Sequence, residues 1–418
     1  MTNIITFPLE KLTYGGEAMG RYAGKAIFVP FGLPGETVRA RITEERKNFA
    51  RAELLDVLTA SPARIAPRCV HFGKCGGCAY QHLAYPDQLA AKTDILRDQL
   101  TRIGKIQNPP LQPIVAAPRP WNYRNHIQFH LDENARLGFI ATSALSPRDS
   151  APLKIIPVTE CHLPEDELNA LWPNLHFEPG APFQRVALRA GEELLLILES
   201  DAPETPELEL EAEISVVHLF EEHAVTLAGD DHLLMTVKNR LFRVSAASFF
   251  QVNTAMAEKM VEHVLALLPA RAPLILDVYC GVGLFSAFLA PRAEKLIGIE
   301  LSPSACEDFA INLDEFDNVE LYEAAAEDVL PALALRPAVI LVDPPRAGLE
   351  KPALDAILAS GAPTLIYVSC DPSTLARDAA RLIAGGYTLQ QVTPFDLFPQ
   401  TYHIESISLF TRVLSNLL

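Results

Sequence analysis

Residues 274–285 read LILDVYCGVGLF, and this stretch decides the fold. Its first half is an apolar run closed by an acid, Asp277, and its second half is a glycine turn. Gly281 and Gly283 let backbone approach a ligand closely and turn sharply. The pattern predicts a strand, a tight turn and a helix. Working outward, KLIGIE (295–300), AVILVD (338–343) and TLIYVS (364–369) are further near-continuous apolar runs. Such strands are buried on both faces, the mark of a parallel sheet. NTAMAEKMVEHVLALLP (253–269) and STLARDAARLIAGG (373–386) have helical periodicity, the latter with Ser373 as the expected cap and glycines at its end.

Acidic residues close two of these strands. Glu300 lies 23 residues after Asp277, a distance that suits hydrogen bonds to ribose hydroxyls. That fits adenosine recognition and does not by itself separate S-adenosylmethionine from NAD. The third glycine of a dinucleotide fingerprint is replaced by Ser286, which weakens NAD. DPPR (343–346) gives a rigid acidic corner at Asp343, placed to attract a sulfonium or to position a base. Arg346 reads either as a phosphate holder or as a plain surface arginine. In YVSCDP (367–372), Asp-Pro stops the strand and leaves Cys370 at the mouth of the sheet, where α/β enzymes bind ligands. A thiol beside a methyl-donor pocket suggests attack on carbon 6 of a pyrimidine, so that carbon 5 takes a methyl group. This is covalent catalysis that splits one hard step into easier ones. Cys280 and Cys306 read as packed structural thiols.

At 418 residues the chain has room for two or three domains. No apolar run reaches membrane length; LILDVYCGVGLFSAFLA (274–290) is interrupted by Asp277 and two glycines. MTNIITFPLEKL at the amino terminus lacks a basic region followed by an apolar one, so no signal peptide is expected and a cytoplasmic location is. The net charge of −17 argues against a nucleic-acid partner until its distribution is read. Residues 1–126 carry 17 Lys/Arg and 10 Asp/Glu, a balance of +7, and the remainder carries −24. A basic portion of this kind hints at a binding surface. The acidic PETPELELEAE (203–213) reads as a solubilising surface. Residues 1–60 form short punctuated strands that suggest a small barrel, with Arg39, Arg41, Arg46, Lys47 and Arg51 on one strand pair and its turn. Such a face serves RNA in OB-like barrels and is otherwise an ordinary charged hairpin. Residues 86–103 read as a helix carrying Leu89, Leu96 and Leu100, and 113–245 as an α+β region. Seven cysteines argue against a disulfide framework, and Cys69, Cys75 and Cys78 are close enough in sequence to ask for a metal.

QVN (251–253), LDVYCGVGLF (276–285), Glu300, DPPRAG (343–348), YVSCDPSTLARD (367–378) and FPQTYHIE (398–405) together resemble the RNA 5-methyluridine methyltransferases. These enzymes methylate uridines in transfer RNA and in large-subunit ribosomal RNA. The resemblance implies a multidomain α/β protein with a Rossmann-like class I S-adenosylmethionine-dependent domain. Gln251, Tyr279, Glu300 and Asp343, with the glycine turn at Gly281 and Gly283, would bind the donor. Cys370 would be the nucleophile and Glu405 the general base, with His403 in a packing or hydrogen-bonding role. The ribosomal-RNA branch (23S rRNA) has an amino-terminal TRAM barrel and a four-iron four-sulfur (4Fe-4S) cluster. Residues 1–60 look like the barrel, and C-x5-C-x2-C at 69, 75 and 78 with distant Cys161 is similar to the cluster ligands. A four-cysteine zinc site is the rival. Leu284 departs from the pattern, since some relatives carry Asn there.

The expected division is 1–60 as an RNA-binding TRAM-like barrel, 61–85 with 113–248 as a central iron–sulfur domain, and 86–112 with 249–418 as the methyltransferase domain. No protein partner is called for. The barrel and cysteines favour 23S ribosomal RNA over tRNA as substrate. A non-catalytic RNA-binding protein on the same fold is opposed by the intact Cys370 and Glu405. A radical iron–sulfur enzyme would need C-x3-C-x2-C, and a cytosine-5 methyltransferase would need Pro-Cys where this chain has DPPR.

Overall fold

The computed structural model describes residues 4–142, 154–205, 208–209, 213–221, 223–333 and 335–412. Of the acidic segment 203–213, positions 206, 207 and 210–212 lie outside the described residues. The chain opens with five strands: β1 (Ile4–Leu12), β2 (Glu17–Tyr22), β3 (Lys25–Pro30), β4 (Thr37–Glu45) and β5 (Phe49–Thr59). They close into a barrel in the order β1-β2-β3-β5-β4. The period-2 alternation of β1 turns Ile5, Phe7 and Leu9 inward and leaves their neighbours in solvent. Closure removes the free strand edges that a sheet this small would otherwise expose.

Helix α1 (Tyr85–Arg102) follows the cysteine-bearing loop. Leu96 and Leu100 pack it against the methyltransferase half, as its periodicity predicts, but Gln88, Lys92 and Gln99 are also buried. The region after it is mostly strand: β6 (His126–Leu131), β7 (Leu137–Ile140), β8 (Ile155–Pro157), a short helix α2 (Asp166–Leu171), β9 (Phe183–Ala190), β10 (Leu194–Ser200), β11 (Ser215–Phe220) and β12 (His223–Ala228). These strands make a sheet in the order β12-β11-β10-β9-β6-β7-β8. The hairpin β13 (His232–Val237) and β14 (Arg240–Ser245) then lays Met235, Phe242 and Val244 into one core with α3 (Thr254–Leu267), whose Asn253 side chain caps it by accepting from the Met256 N–H.

Strand–helix alternation fills the rest: β15 (Ala272–Val278), α4 (Ser286–Leu289), β16 (Ala293–Glu300), α5 (Pro303–Asn312), β17 (Val319–Glu323), α6 (Ala326–Ala332), β18 (Val339–Val342), α7 (Lys351–Ser360), β19 (Thr364–Ser369), α8 (Pro372–Ala384), β20 (Thr388–Phe395) and β21 (Glu405–Thr411). The sheet runs β17-β16-β15-β18-β19-β21-β20, that is 3-2-1-4-5-7-6 counted along the chain. Strands β15 to β19 are parallel, and β21 inserts antiparallel between β19 and β20. The four apolar runs identified in the sequence are its centre. Helix α8 is capped by Asp371, which accepts from the Ser373 and Thr374 N–H groups; Ser373, the expected cap, instead lies inside the first turn. Among the described residues no helix is long and apolar enough to cross a membrane.

Candidate active site and cysteine pocket

The carboxyl ends of the parallel strands meet at a cavity of about 750 Å³. Cys370, Glu405, Gln251, Tyr279, Glu300 and Asp343 all line it, as does the Gly281 backbone. Residues 154 positions apart in sequence are thus gathered on one wall system. The sheet explains how. Asp343 follows β18, and its N–H is tied to the Val278 carbonyl at 3.1 Å. Cys370 follows β19, stopped by the Asp371 cap and Pro372. Strand β21 pairs with β19 in a register that sets Ser369 opposite Ser406, so the next step along it sets Cys370 against Glu405.

The glycine turn is tightly held. Glu300 accepts N–H bonds from Gly281, Leu301 and Ser302 at 2.8–2.9 Å. Two of these fall on one oxygen, leaving Oε2 with room for a further donor. Tyr279 adopts φ 63°, and an aromatic residue there is held by its surroundings, here two N–H bonds from Tyr279 and Cys280 to the Ile299 carbonyl. Gly283 does not line the cavity. At φ 90° it faces the other way, where a side chain would meet Leu313 at 2.4 Å. Leu284 lines the cavity as an apolar wall.

Charge in the cavity is unbalanced towards acid. Burial raises Asp343 to about 7. Asp277, behind the wall, is raised to about 7 by burial and by repulsion from Asp343 and Glu300, although Ser286 donates to it at 2.6 Å. Burial, then Asp343, hold Glu405 well above the usual carboxylate range against the pull of Arg346 and Lys92. Burial, then Glu405 and Asp343, push the Cys370 thiol to about 12, with Arg346 opposing. His403 is pushed down to about 3 by burial and by Arg346, so it stands neutral, with Arg346 3.4 Å from its Nδ1. The Cys370 thiol and the Glu405 carboxyl, both shifted upward, therefore face an acidic cavity into which a cation would fit. An arriving positive charge favours the ionised forms of both.

A second cavity, of about 350 Å³, is lined by Cys69, Cys75, Cys78 and Cys161. The His71 N–H points at the Cys69 sulfur and the Gly77 N–H at the Cys75 sulfur, each at 3.4 Å. Burial pushes Cys75 and Cys78 to about 11 and Cys161 to about 12. Among the described residues no group of three or more His, Cys, Asp or Glu side chains is placed to hold a metal ion, so the expected iron–sulfur site is not seen assembled. Phe249 and Phe250 line both cavities, and Phe249 is 70% exposed. Sequence reading passed over Phe249; the signal was an aromatic pair immediately before Gln251.

The sequence also left unseen the frame that holds the loop 396–404, which leads into Glu405. Lys92 and Asp396, both fully buried, pair at 2.6 Å, and Lys92 also donates to the Phe398 carbonyl at 2.9 Å. Gln88 and Gln400 exchange two hydrogen bonds of 3.0 Å. The barrel arginines, expected on a face for RNA, are largely spent on each other's strands. Arg39 pairs with Asp56, Arg41 with Glu53, Arg46 with Glu44 and Arg51 with Glu17.

The strand order, the glycine turn and a cavity at the carboxyl edge of the sheet define a class I methyltransferase that uses S-adenosylmethionine. Residues 219–413 match the family model described as tRNA (Uracil-5-)-methyltransferase, and residues 8–55 match the TRAM domain. An uncharacterised RNA methyltransferase of Aquifex aeolicus is 35% identical over 96% of this chain and 97% of its own length. Another, of Thermosynechococcus vestitus, is 33% identical over 97% of this chain and 98% of its own. The fold is shared with the crystal structure of Pyrococcus abyssi tRNA (uracil-54, C5)-methyltransferase bound to S-adenosyl-L-homocysteine, with a TM-score of 0.73, 23% identity, and coverage of 97% of this chain and 100% of that one. The chain belongs to the RNA uracil-5-methyltransferase family and carries a TRAM domain at its amino end.

Proposed function

We propose that this protein methylates carbon 5 of a specific uridine in 23S ribosomal RNA through a covalent cysteine–uridine adduct. The observation that carries the reading is the convergence of Cys370, Glu405 and Asp343 with the glycine turn on one cavity. Gln251, Tyr279, Gly281, Glu300 and Asp343 hold S-adenosylmethionine, and Gly283 supports the turn from behind. Residues 1–60 are the RNA-binding barrel, 61–85 with 113–248 carry the cysteine site, and 86–112 with 249–418 carry the chemistry.

Cys370 loses its proton to solvent as the donor's positive charge enters the cavity, and its thiolate adds to carbon 6 of the uracil, forming a C–S bond and moving the double-bond electrons towards carbon 5 and the carbonyl oxygen. Carbon 5 then takes the sulfonium methyl, and the donor leaves as the neutral thioether. The Glu405 carboxylate removes the carbon 5 proton. The released electron pair restores the ring double bond and expels Cys370 as thiolate. A stacked or paired uridine must be extruded to reach the sulfur.

Cys69, Cys75, Cys78 and Cys161 are the proposed ligands of a 4Fe-4S cluster. Four thiols on one cavity, two of them facing backbone N–H groups, suit such a centre. A bound cluster would cross-link the loop 69–78 to Cys161. The barrel and the cysteine site together support ribosomal RNA. The match to the tRNA (Uracil-5-)-methyltransferase family model favours a second reading, the same chemistry on a transfer RNA.

Mapping 5-methyluridine in RNA from a strain lacking the gene tests the proposal. Loss at one position of 23S ribosomal RNA is expected. Loss from transfer RNA alone selects the second reading, and loss from neither contradicts both. The same protein, purified without oxygen, should be brown with about four irons per chain; stoichiometric zinc without iron would contradict the cluster.

A further inference from the structure

We infer that a half-exposed chain of alternating cations and aromatic rings, running from the lip of the donor cavity past the cysteine pocket to Arg68, is the track along which the single-stranded RNA flanking the target uridine lies. Contacts join it in two stretches, both of which reach the cysteine pocket. Arg346, exposed on the cavity lip, reaches His403 at 3.4 Å. The His403 ring meets Phe398, itself on the cavity wall, with centroids 5.5 Å apart. The Arg124 guanidinium lies 5.8 Å from the Phe398 ring and lines the cysteine pocket. His162, on the same pocket, meets Trp121 edge-on at 6.2 Å. Arg68 lies over Trp121 at 5.3 Å.

Two observations point to RNA as the occupant. First, charge: among the described residues Arg68, Arg124 and Arg346 form no ion pair with a carboxylate, whereas Arg39, Arg41, Arg46 and Arg51 of the barrel each do. Arg68, Arg124 and Arg346 are therefore free to meet phosphates. Among the described residues the carboxylate that touches the track is Glu160, 3.3 Å from His162, and it already accepts the Val70 N–H at 2.8 Å. Second, continuity: one end of the track opens into the cavity that must receive a uridine. Rings alternating with guanidinium groups offer faces to successive bases and charge to the backbone between them, the arrangement by which single strands are held without base-specific contacts. The uncharged His403 ring adds a stacking surface inside this series.

The inference rests on the reading of the protein as an RNA methyltransferase, and its test is separable from that reading. Binding of a labelled oligouridylate is measured by fluorescence anisotropy over a range of salt, with donor affinity and iron content as controls for folding. Trp121→Ala should weaken binding about ten-fold, and Trp121→Phe, which keeps a ring, should recover most of it. Arg68→Ala should weaken binding several-fold and reduce the salt slope by about one, whereas Arg68→Lys should restore the slope but not the full affinity. The double change Arg39→Ala with Arg41→Ala should weaken binding less than either track change, because those charges are already paired with Asp56 and Glu53. Unaltered binding in both Trp121→Ala and Arg68→Ala would overturn the inference, as would an equal loss in the barrel double variant. An unsubstituted protein that forms no 5-methyluridine on ribosomal or transfer RNA defeats the proposed function instead, whatever the binding results.

Discussion

Asp343 shows how one side chain can tune the cavity to its donor. Burial raises its carboxyl to about 7, with Glu300, Glu405 and Arg346 lining the same space. In the donor-free protein the proton therefore stays on up to about neutrality. A sulfonium favours the carboxylate, so binding it below that pH releases a proton, while the neutral thioether product gives no such drive. The sign follows: donor affinity rises with pH up to about 7 and then levels off, and product affinity changes little. Titration calorimetry should show the donor binding about ten-fold more tightly at pH 8 than at pH 6. In Asp343→Asn that slope should largely vanish while product still binds; a donor affinity independent of pH in the unsubstituted protein would refute this role.

Helix α1 is a clamp on the loop 396–404. Its Lys92 and Gln88 hold Asp396, Phe398 and Gln400, and that loop carries His403 and leads into Glu405. Removing one member of a buried pair leaves the other charge uncompensated. Lys92→Met should therefore cost about 3–5 kcal/mol, read from urea unfolding, with loss of methyl transfer. A loss below about 1 kcal/mol would show the pair to be dispensable. These contacts also mark the boundary of what the sequence discloses. Cys370, Asp343 and Glu300 were legible because each closes an apolar run, and a sheet of parallel strands must bring such ends together. Glu405 became legible only through its motif, since its place beside Cys370 depends on the register of β21. Lys92 and Asp396 are 304 positions apart, and nothing local marks either as buried. For Arg39, Arg41 and Arg51 the local charge was visible, but the acids across the barrel with which they pair depend on strand register. The cap of α8 turned on the same kind of detail, with Asp371 preceding Pro372 and outcompeting Ser373 for the free N–H groups.

Across the whole molecule, the barrel is built onto the reaction centre. The Tyr14 hydroxyl donates to Asp371 at 2.9 Å, one residue from the proposed nucleophile, and the Tyr14 ring meets Tyr402 edge-on at 6.1 Å. Gly16 lets this turn approach Ala79 and Tyr402 so closely that a side chain there would meet Ala79 at 2.9 Å. Barrel, cysteine loop and the loop leading into Glu405 thus converge beside the cavity. The central claim is that this assembly forms a bond between Cys370 and uridine and needs Glu405 to break it. Without the base, addition and methyl transfer can proceed while elimination stalls. The most direct measurement mixes Glu405→Gln or Cys370→Ala with substrate RNA and S-adenosylmethionine, followed by denaturing electrophoresis. Glu405→Gln should give a methylated protein–RNA band that survives denaturant, and Cys370→Ala none; normal turnover by Glu405→Gln, or a covalent band from Cys370→Ala, would contradict the account.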